Sequence, residues 1–119
     1  MRQPDDEALL LDMLVLAKRI RDRVNGLSRE RFDAEEDLQL ALTHLIQNVG
    51  EAASRTSQAF RASHSQVPWR EIIGMRHRLV HDYLRVSVDV VWATALDDIP
   101  ALIAIIQPLA RTEDPAGET

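Results

Sequence analysis

Cysteine is absent from this sequence of 119 residues, and glycine, proline and aromatic residues are scarce. Without cysteine, neither a disulfide framework nor a thiolate metal site is available, which fits a reducing compartment. Four glycines and five prolines leave few turns, so we expect long helices. Aromatic residues make up only 4% of the chain against 45% hydrophobic residues, so the core must be mostly aliphatic.

Long apolar runs are also missing, and we expect no secretory signal at the N-terminus. No stretch approaches the length of a transmembrane helix, and MRQPDDEALL lacks the basic region and apolar block of a secretory signal. We therefore expect a cytoplasmic protein that does not contact a membrane. The net charge of −5 argues against broad electrostatic binding of nucleic acid, so any RNA contact has to be local.

What the sequence does contain is a series of amphipathic helical patterns. They predict helices over residues 4–24, 34–62, 68–83 and about 88–109. Residues 28–33 are expected to form a linker that can supply helix caps, Ser87 to cap the last helix, and Pro100 to kink or divide it. No strand pattern competes. The sequence thus predicts an all-α fold, an up-and-down bundle of four to five helices over residues 1–111 with a flexible tail at 112–119.

Two neighbouring residues in the second predicted helix attract notice. Gly50 lies inside the helix, where glycine costs stability relative to alanine, and close approach of a neighbouring backbone would explain it. Glu51 is spaced four residues from Arg55, and we favour an exposed ion pair between them. The less favoured alternative is that Glu51 faces Arg76 of the central helix.

The central stretch, PWREIIGMRHRLVHDY, carries a cation within its apolar face. Ile72, Met75 and Leu79 follow a helical stripe, and Arg76 projects from the same arc. A buried guanidinium needs a partner or a cleft. The pattern alone favours an arginine in a structural ion pair, or one whose guanidinium reaches out to water, over a functional site.

A sequence motif around Arg76 favours the functional site instead. Arg76, four residues, His81, one residue and Tyr83 form the R-x4-H-x-Y pattern of HEPN-domain ribonucleases. The run VPWREIIGMRHRLVHDY resembles the signature of the HepT branch of that superfamily, and the upstream GEAA and downstream VW and DIP segments resemble it too. The likeness covers about residues 9–109. It has two departures, since His77 stands where the family usually has Asn and Asp82 where it often has Gly.

The resemblance implies a HEPN-like helical domain that cleaves RNA without a metal or cofactor. Arg76 is then the residue that binds phosphate, and His81 transfers protons. Supporting roles are open for His77, Asp82 and Arg78. The HepT branch consists of toxins of bacterial type VII HEPN/MNT toxin–antitoxin systems, whose partner is an MntA-type minimal nucleotidyltransferase. The resemblance implies that Tyr83 accepts AMP from such a partner, which neutralises the toxin.

Helical geometry limits how Arg76 and His81 can cooperate. Residues five apart on a straight helix point about 140° away from each other, so one chain's pair would not converge on one phosphate. Either the helix distorts near His81, or two chains share a site. The family dimerises, so we expect a homodimer with a composite cleft. His77 and His81 have the spacing of two metal ligands, but no third ligand accompanies them, and we expect no metal site.

A second function remains open. The chain is alternatively a non-catalytic helical partner of a nucleotidyltransferase, because the departures at His77 and Asp82 touch the motif itself. An RNA cleavage assay without metal separates the two functions.

Overall fold

In a computed structural model, the backbone is described for residues 5–82 and 85–113 and the side chains for residues 5–79 and 86–110. The elements are α1 (Asp6–Val24), α2 (Arg29–Ala34), α3 (Glu36–Ser54), α4 (Gln58–Ser63), α5 (Trp69–Leu79), β1 (Val80–Asp82), β2 (Arg85–Val86), α6 (Val88–Ala93), a π-helical turn (Thr94–Asp98) and α7 (Ile99–Glu113). The predicted all-α class is confirmed, because the two strands together hold only five residues.

The core lies between α1, α3, α5 and α7. Helix α1 packs against α3 and α7, and α3 packs against α5 on its other side. The largest completely buried side chains are mostly aliphatic, as the composition predicts; they include Leu10, Met13, Ile20, Leu42, Ile46, Ile99 and Ile106. None of the helices in the described part of the chain is long and apolar enough to cross a bilayer.

The predicted linker at 28–33 is wrong, because a short helix occupies it, but a helix cap is present there as expected. The Ser28 side chain caps α2 by accepting the Arg31 N–H at 3.1 Å. Arg29 donates to Asp33 at 2.7 Å and to Asp89 at 2.5 Å, and these hydrogen bonds raise its pKa above the ordinary value. The link to Asp89 ties α2 to the start of α6.

The predicted second helix over 34–62 is divided in two. Helix α3 ends at Ser54, and α4 begins after Ser57, whose hydroxyl accepts the Phe60 N–H at 3.1 Å. The Asp6 carboxylate accepts from the Ser57 N–H at 2.8 Å and from its hydroxyl at 2.7 Å. Ser57 can therefore start a new helix while α1 holds it from the side.

The central helix is shorter than predicted. It ends at Leu79, and the chain continues as an antiparallel strand pair in which Val80 is opposite Val86. The Ser87 N–H donates to the Leu79 carbonyl at 2.6 Å, which closes the hairpin. β-Branched valines favour extended backbone, and here this preference overrides the helical spacing.

The last predicted helix has three parts. A π-helical turn over Thr94–Asp98 directly precedes Pro100, and the Ile99 N–H bonds the Thr94 carbonyl five residues back. Proline cannot donate a backbone hydrogen bond, so the helix widens here instead of ending. Pro108 lies inside α7. Ser87 occupies the N-cap of α6, but its side chain makes no capping bond.

Candidate active site

Helices α3 and α5 come close together at Gly50. A Cβ atom on Gly50 would lie 3.0 Å from the carbonyl oxygen of Ile72. This confirms that a neighbouring backbone approaches the glycine, and it identifies that backbone as α5. The contact places Glu51, the next residue of α3, beside α5.

Arg76 is bound to Glu51 across these two helices. Its Nη1 donates to the Glu51 Oε1 at 2.6 Å, and the two side chains are 39% and 52% exposed. The expected pair between Glu51 and Arg55 is wrong, and the less favoured contact with Arg76 is the one that forms. Arg76 therefore meets the requirement for a partner while its guanidinium keeps access to solvent.

His77 and Arg78 point away from Arg76. Both are exposed on α5, about 100° and 200° further around the helix. Arg78 lines a different, mostly apolar groove of about 260 Å³ between α5 and α7, together with Met75 and Leu102. The structure does not bring these two candidate supporting residues into contact with Arg76.

The remaining motif residues follow α5 in the sequence. The backbone of His81 and Asp82 belongs to β1, but their side chains are outside the described residues, as is all of Tyr83. Because the helix ends at Leu79, the calculation of a 140° divergence no longer applies to His81. Of the two alternatives that it raised, the structure contains the distortion of the helix.

A second groove opens next to Glu51, between α1 and α3. It has a volume of about 400 Å³, and Arg19, Asn48, Glu51 and Arg55 are among its lining residues. Neither Arg19 nor Arg55 forms an ion pair with any residue that the structure describes. The Arg76–Glu51 pair thus stands at the edge of an open, polar depression.

No metal centre is apparent around this pair. Among the described residues, no group of three or more His, Asp or Glu side chains is arranged to hold an ion. His44 lies on the surface of α3, where its Nε2 is 3.2 Å from the Asn48 amide, and His64 stacks on Phe60. Neither histidine belongs to the Arg76 site.

Several known proteins are similar to this chain in sequence. A protein of Caldanaerobacter subterraneus subsp. tengcongensis, named a candidate RNase, is 37% identical over 77% of this chain and 82% of its own length. A protein of Thermococcus cleftensis, named a probable ribonuclease HepT, is 34% identical over 69% of this chain and 74% of its own. A candidate RNase of Methanocaldococcus jannaschii is 26% identical over 93% of this chain and 92% of its own length. No solved structure matches the chain.

A match to a family model covers most of the helical bundle. The family model for HepT-like ribonucleases matches residues 13–109, a range that includes the Arg76–Glu51 pair and the hairpin that follows it. The chain belongs to the HepT-like ribonuclease family.

Proposed function

We propose that this chain is a metal-independent endoribonuclease and the toxin of a type VII HEPN/MNT toxin–antitoxin system. The observation that carries the proposal is Arg76, a half-exposed guanidinium in the R-x4-H-x-Y motif of a HepT-like chain. A fixed cation that is open to solvent suits the binding of an RNA phosphate.

The reaction is an internal transesterification. The ribose 2′-oxygen forms a bond to the adjacent phosphorus and loses its proton, while the bond to the 5′-oxygen breaks and that oxygen gains a proton. Arg76 stabilises the extra negative charge on the phosphorane-like transition state. His81 carries a proton, because imidazole is the side chain whose ordinary pKa lies near neutrality.

The active form is a homodimer in which Arg76 and His81 of both chains line one cleft. This follows from the family resemblance, and exposed apolar side chains on α1 and α3 are compatible with it. Leu11 and Val15 lie one turn apart on α1, and Leu40 lies on α3. An isologous interface would cover such residues twice, once on each chain.

A nucleotidyltransferase of the MntA type controls the enzyme through Tyr83. The phenol oxygen of Tyr83 forms a bond to the α-phosphorus of ATP, pyrophosphate leaves, and the phenolic proton passes to solvent. The added AMP brings bulk and negative charge close to the motif, where it competes with RNA for Arg76. Incubation with a cognate transferase, ATP and magnesium is expected to raise the mass of the chain, and the Tyr83→Phe variant should show no gain.

An alternative function is a non-catalytic helical partner of the nucleotidyltransferase, favoured by His77 and Asp82 at two motif positions. The deciding experiment is incubation of structured and single-stranded RNA with the purified chain in EDTA. We expect cleavage that Arg76→Ala or His81→Ala abolishes. Arg31→Ala is the matched control, because it breaks another exposed Arg–Glu pair, to Glu35 at 3.2 Å. If the wild-type chain leaves every RNA intact, the binding function replaces the enzyme.

A further inference from the structure

We propose that Glu51 is a positioning residue that holds the Arg76 guanidinium ready for the RNA phosphate. The inference rests on the proposed ribonuclease function and extends it to a residue outside the R-x4-H-x-Y motif. Glu51 lies 25 positions before Arg76, on a different helix, and its Oε1 accepts from the Arg76 Nη1 at 2.6 Å.

The contact is built on rigid elements. Glu51 lies in the last turn of α3, and Arg76 lies in the last turn of α5. The two helices approach so closely at Gly50 that a Cβ atom there would be 3.0 Å from the Ile72 carbonyl. Both side chains therefore start from backbone whose separation is fixed, and the hydrogen bond restrains a long side chain that would otherwise sample many rotamers.

The hydrogen bond leaves most of the guanidinium free. Arginine has five N–H donors in a planar fork, and only Nη1 is engaged by a residue that the structure describes. The donors of Nη2 and Nε remain for phosphate oxygens. A carboxylate bound to one edge of the guanidinium therefore sets the direction in which the other edge points. A hydrogen bond to the second ring nitrogen orients a metal-binding histidine in the same way.

Stability is a poor explanation for this pair. Glu51 is 52% exposed and Arg76 is 39% exposed, and such surface pairs contribute little to folding. Glu51 also reduces the net positive charge that attracts RNA. Glu51 thus weakens the attraction of RNA but fixes the orientation of the Arg76 guanidinium. Its replacement should therefore change mainly kcat and only slightly KM.

The kinetic test compares Glu51→Ala and Glu51→Asp with the control Glu35→Ala, which removes the carboxylate of the exposed Arg31–Glu35 pair. For Glu51→Ala we expect kcat to fall roughly 10- to 100-fold, with KM changed by less than about three-fold. Glu51→Asp should recover part of the loss, and Glu35→Ala should match the wild type. Wild-type kcat in Glu51→Ala, or a higher one, would overturn the inference.

A pH profile separates positioning from proton transfer. A positioning residue lowers the rate by the same factor at every pH, so Glu51→Gln should keep the shape of the wild-type profile. Loss of one limb of the profile in Glu51→Gln would mean that the carboxylate itself accepts a proton, and the inference would be wrong.

Nuclear magnetic resonance of the Arg76 side chain tests the contact without any RNA. The chain has a mass of 13.5 kDa, which suits this method. The Arg76 Nη1 protons, which Glu51 accepts, should give an ordered, slowly exchanging signal that is lost in Glu51→Ala but kept in Glu35→Ala. If the wild-type chain cleaves no RNA yet shows this signal, the proposed function fails while the restraint on Arg76 stands. If the wild-type signal is already averaged by motion, the inference fails whatever the enzyme does.

Discussion

Arg76 and Glu51 show how a charged residue can sit beside a packed helix face without being buried in it. The Arg76 side chain leaves the apolar arc of α5 toward solvent and meets a carboxylate from α3. Its neighbours Met75 and Leu79 are buried in the core. The side chain is therefore available for chemistry at little cost to the packing.

Replacing Arg76 should separate activity from stability. Arg76→Lys keeps a positive charge but loses the planar fork, so we expect partial loss of RNA cleavage, and Arg76→Ala should lose cleavage completely. Both variants should unfold within about 1 kcal/mol of the wild type, because exposed ion pairs contribute about that much or less. Circular dichroism melts and the cleavage assay measure the two effects. A large loss of stability in Arg76→Ala would show that the arginine is structural.

A second residue-scale test concerns Asp6, whose carboxylate binds both the N–H and the hydroxyl of Ser57. Asp6→Ala should lower the free energy of unfolding by about 2 kcal/mol, since hydrogen bonds to a charged group contribute about 1.5–3 kcal/mol. Asp5→Ala is the matched control, because the exposed Asp5 side chain makes no capping bond. Urea denaturation of both variants measures the difference. Equal stabilities would mean that α4 is held by other contacts.

At the scale of elements, the meeting of α3 and α5 decides where the site forms. A Cβ atom on Gly50 would lie so close to the Ile72 carbonyl that the α5 backbone would have to shift, whereas a Cβ atom on Gly74 of α5 would meet nothing within 4 Å. The two helical glycines therefore provide a matched pair of substitutions.

Gly50→Ala should force α5 away from α3 and weaken the Arg76–Glu51 contact. Overpacking typically lowers the stability by about 1–3 kcal/mol. The higher helix propensity of alanine offsets about 1 kcal/mol of that loss. We expect a net loss of stability and a lower rate of RNA cleavage. Gly74→Ala should instead gain up to about 1 kcal/mol of stability, because alanine has the higher helix propensity and no overpacking opposes it. Thermal melts that show the same sign for both variants would contradict the close packing at Gly50.

The fold class was predictable from the sequence because the apolar stripes of α1, α3 and α7 repeat with helical spacing. The ends of the helices were less predictable, because they depend on contacts between residues that are distant in sequence. Ser57 divides the predicted second helix with help from Asp6, and Val80 leaves α5 to pair with Val86. At the site, helical spacing gave the place of Arg76, but its contact with Glu51 depends on how two helices pack.

At the scale of the whole molecule, the proposed dimer predicts the behaviour of mixed chains. The particle in solution should have twice the 13.5 kDa of one chain, as measured by light scattering. Arg76→Ala and His81→Ala chains, each inactive alone, should recover part of the activity after they are mixed and allowed to exchange. A mixed dimer then keeps one Arg76 and one His81 in the shared cleft. No recovery, despite proven exchange, would assign each site to a single chain.

The π-helical turn before Pro100 determines how α7 is rotated about its own axis. A π turn accommodates one residue more than the α-helix around it, so everything after Asp98 is rotated relative to an uninterrupted helix. The rotation matters because Ile99 and Ile106 are both completely buried. If the same residues were wound as a regular α-helix, the extra residue would turn α7 by about 100°. The apolar side of α7 would then no longer face α1, so the irregular turn is what keeps the last helix in phase with the core.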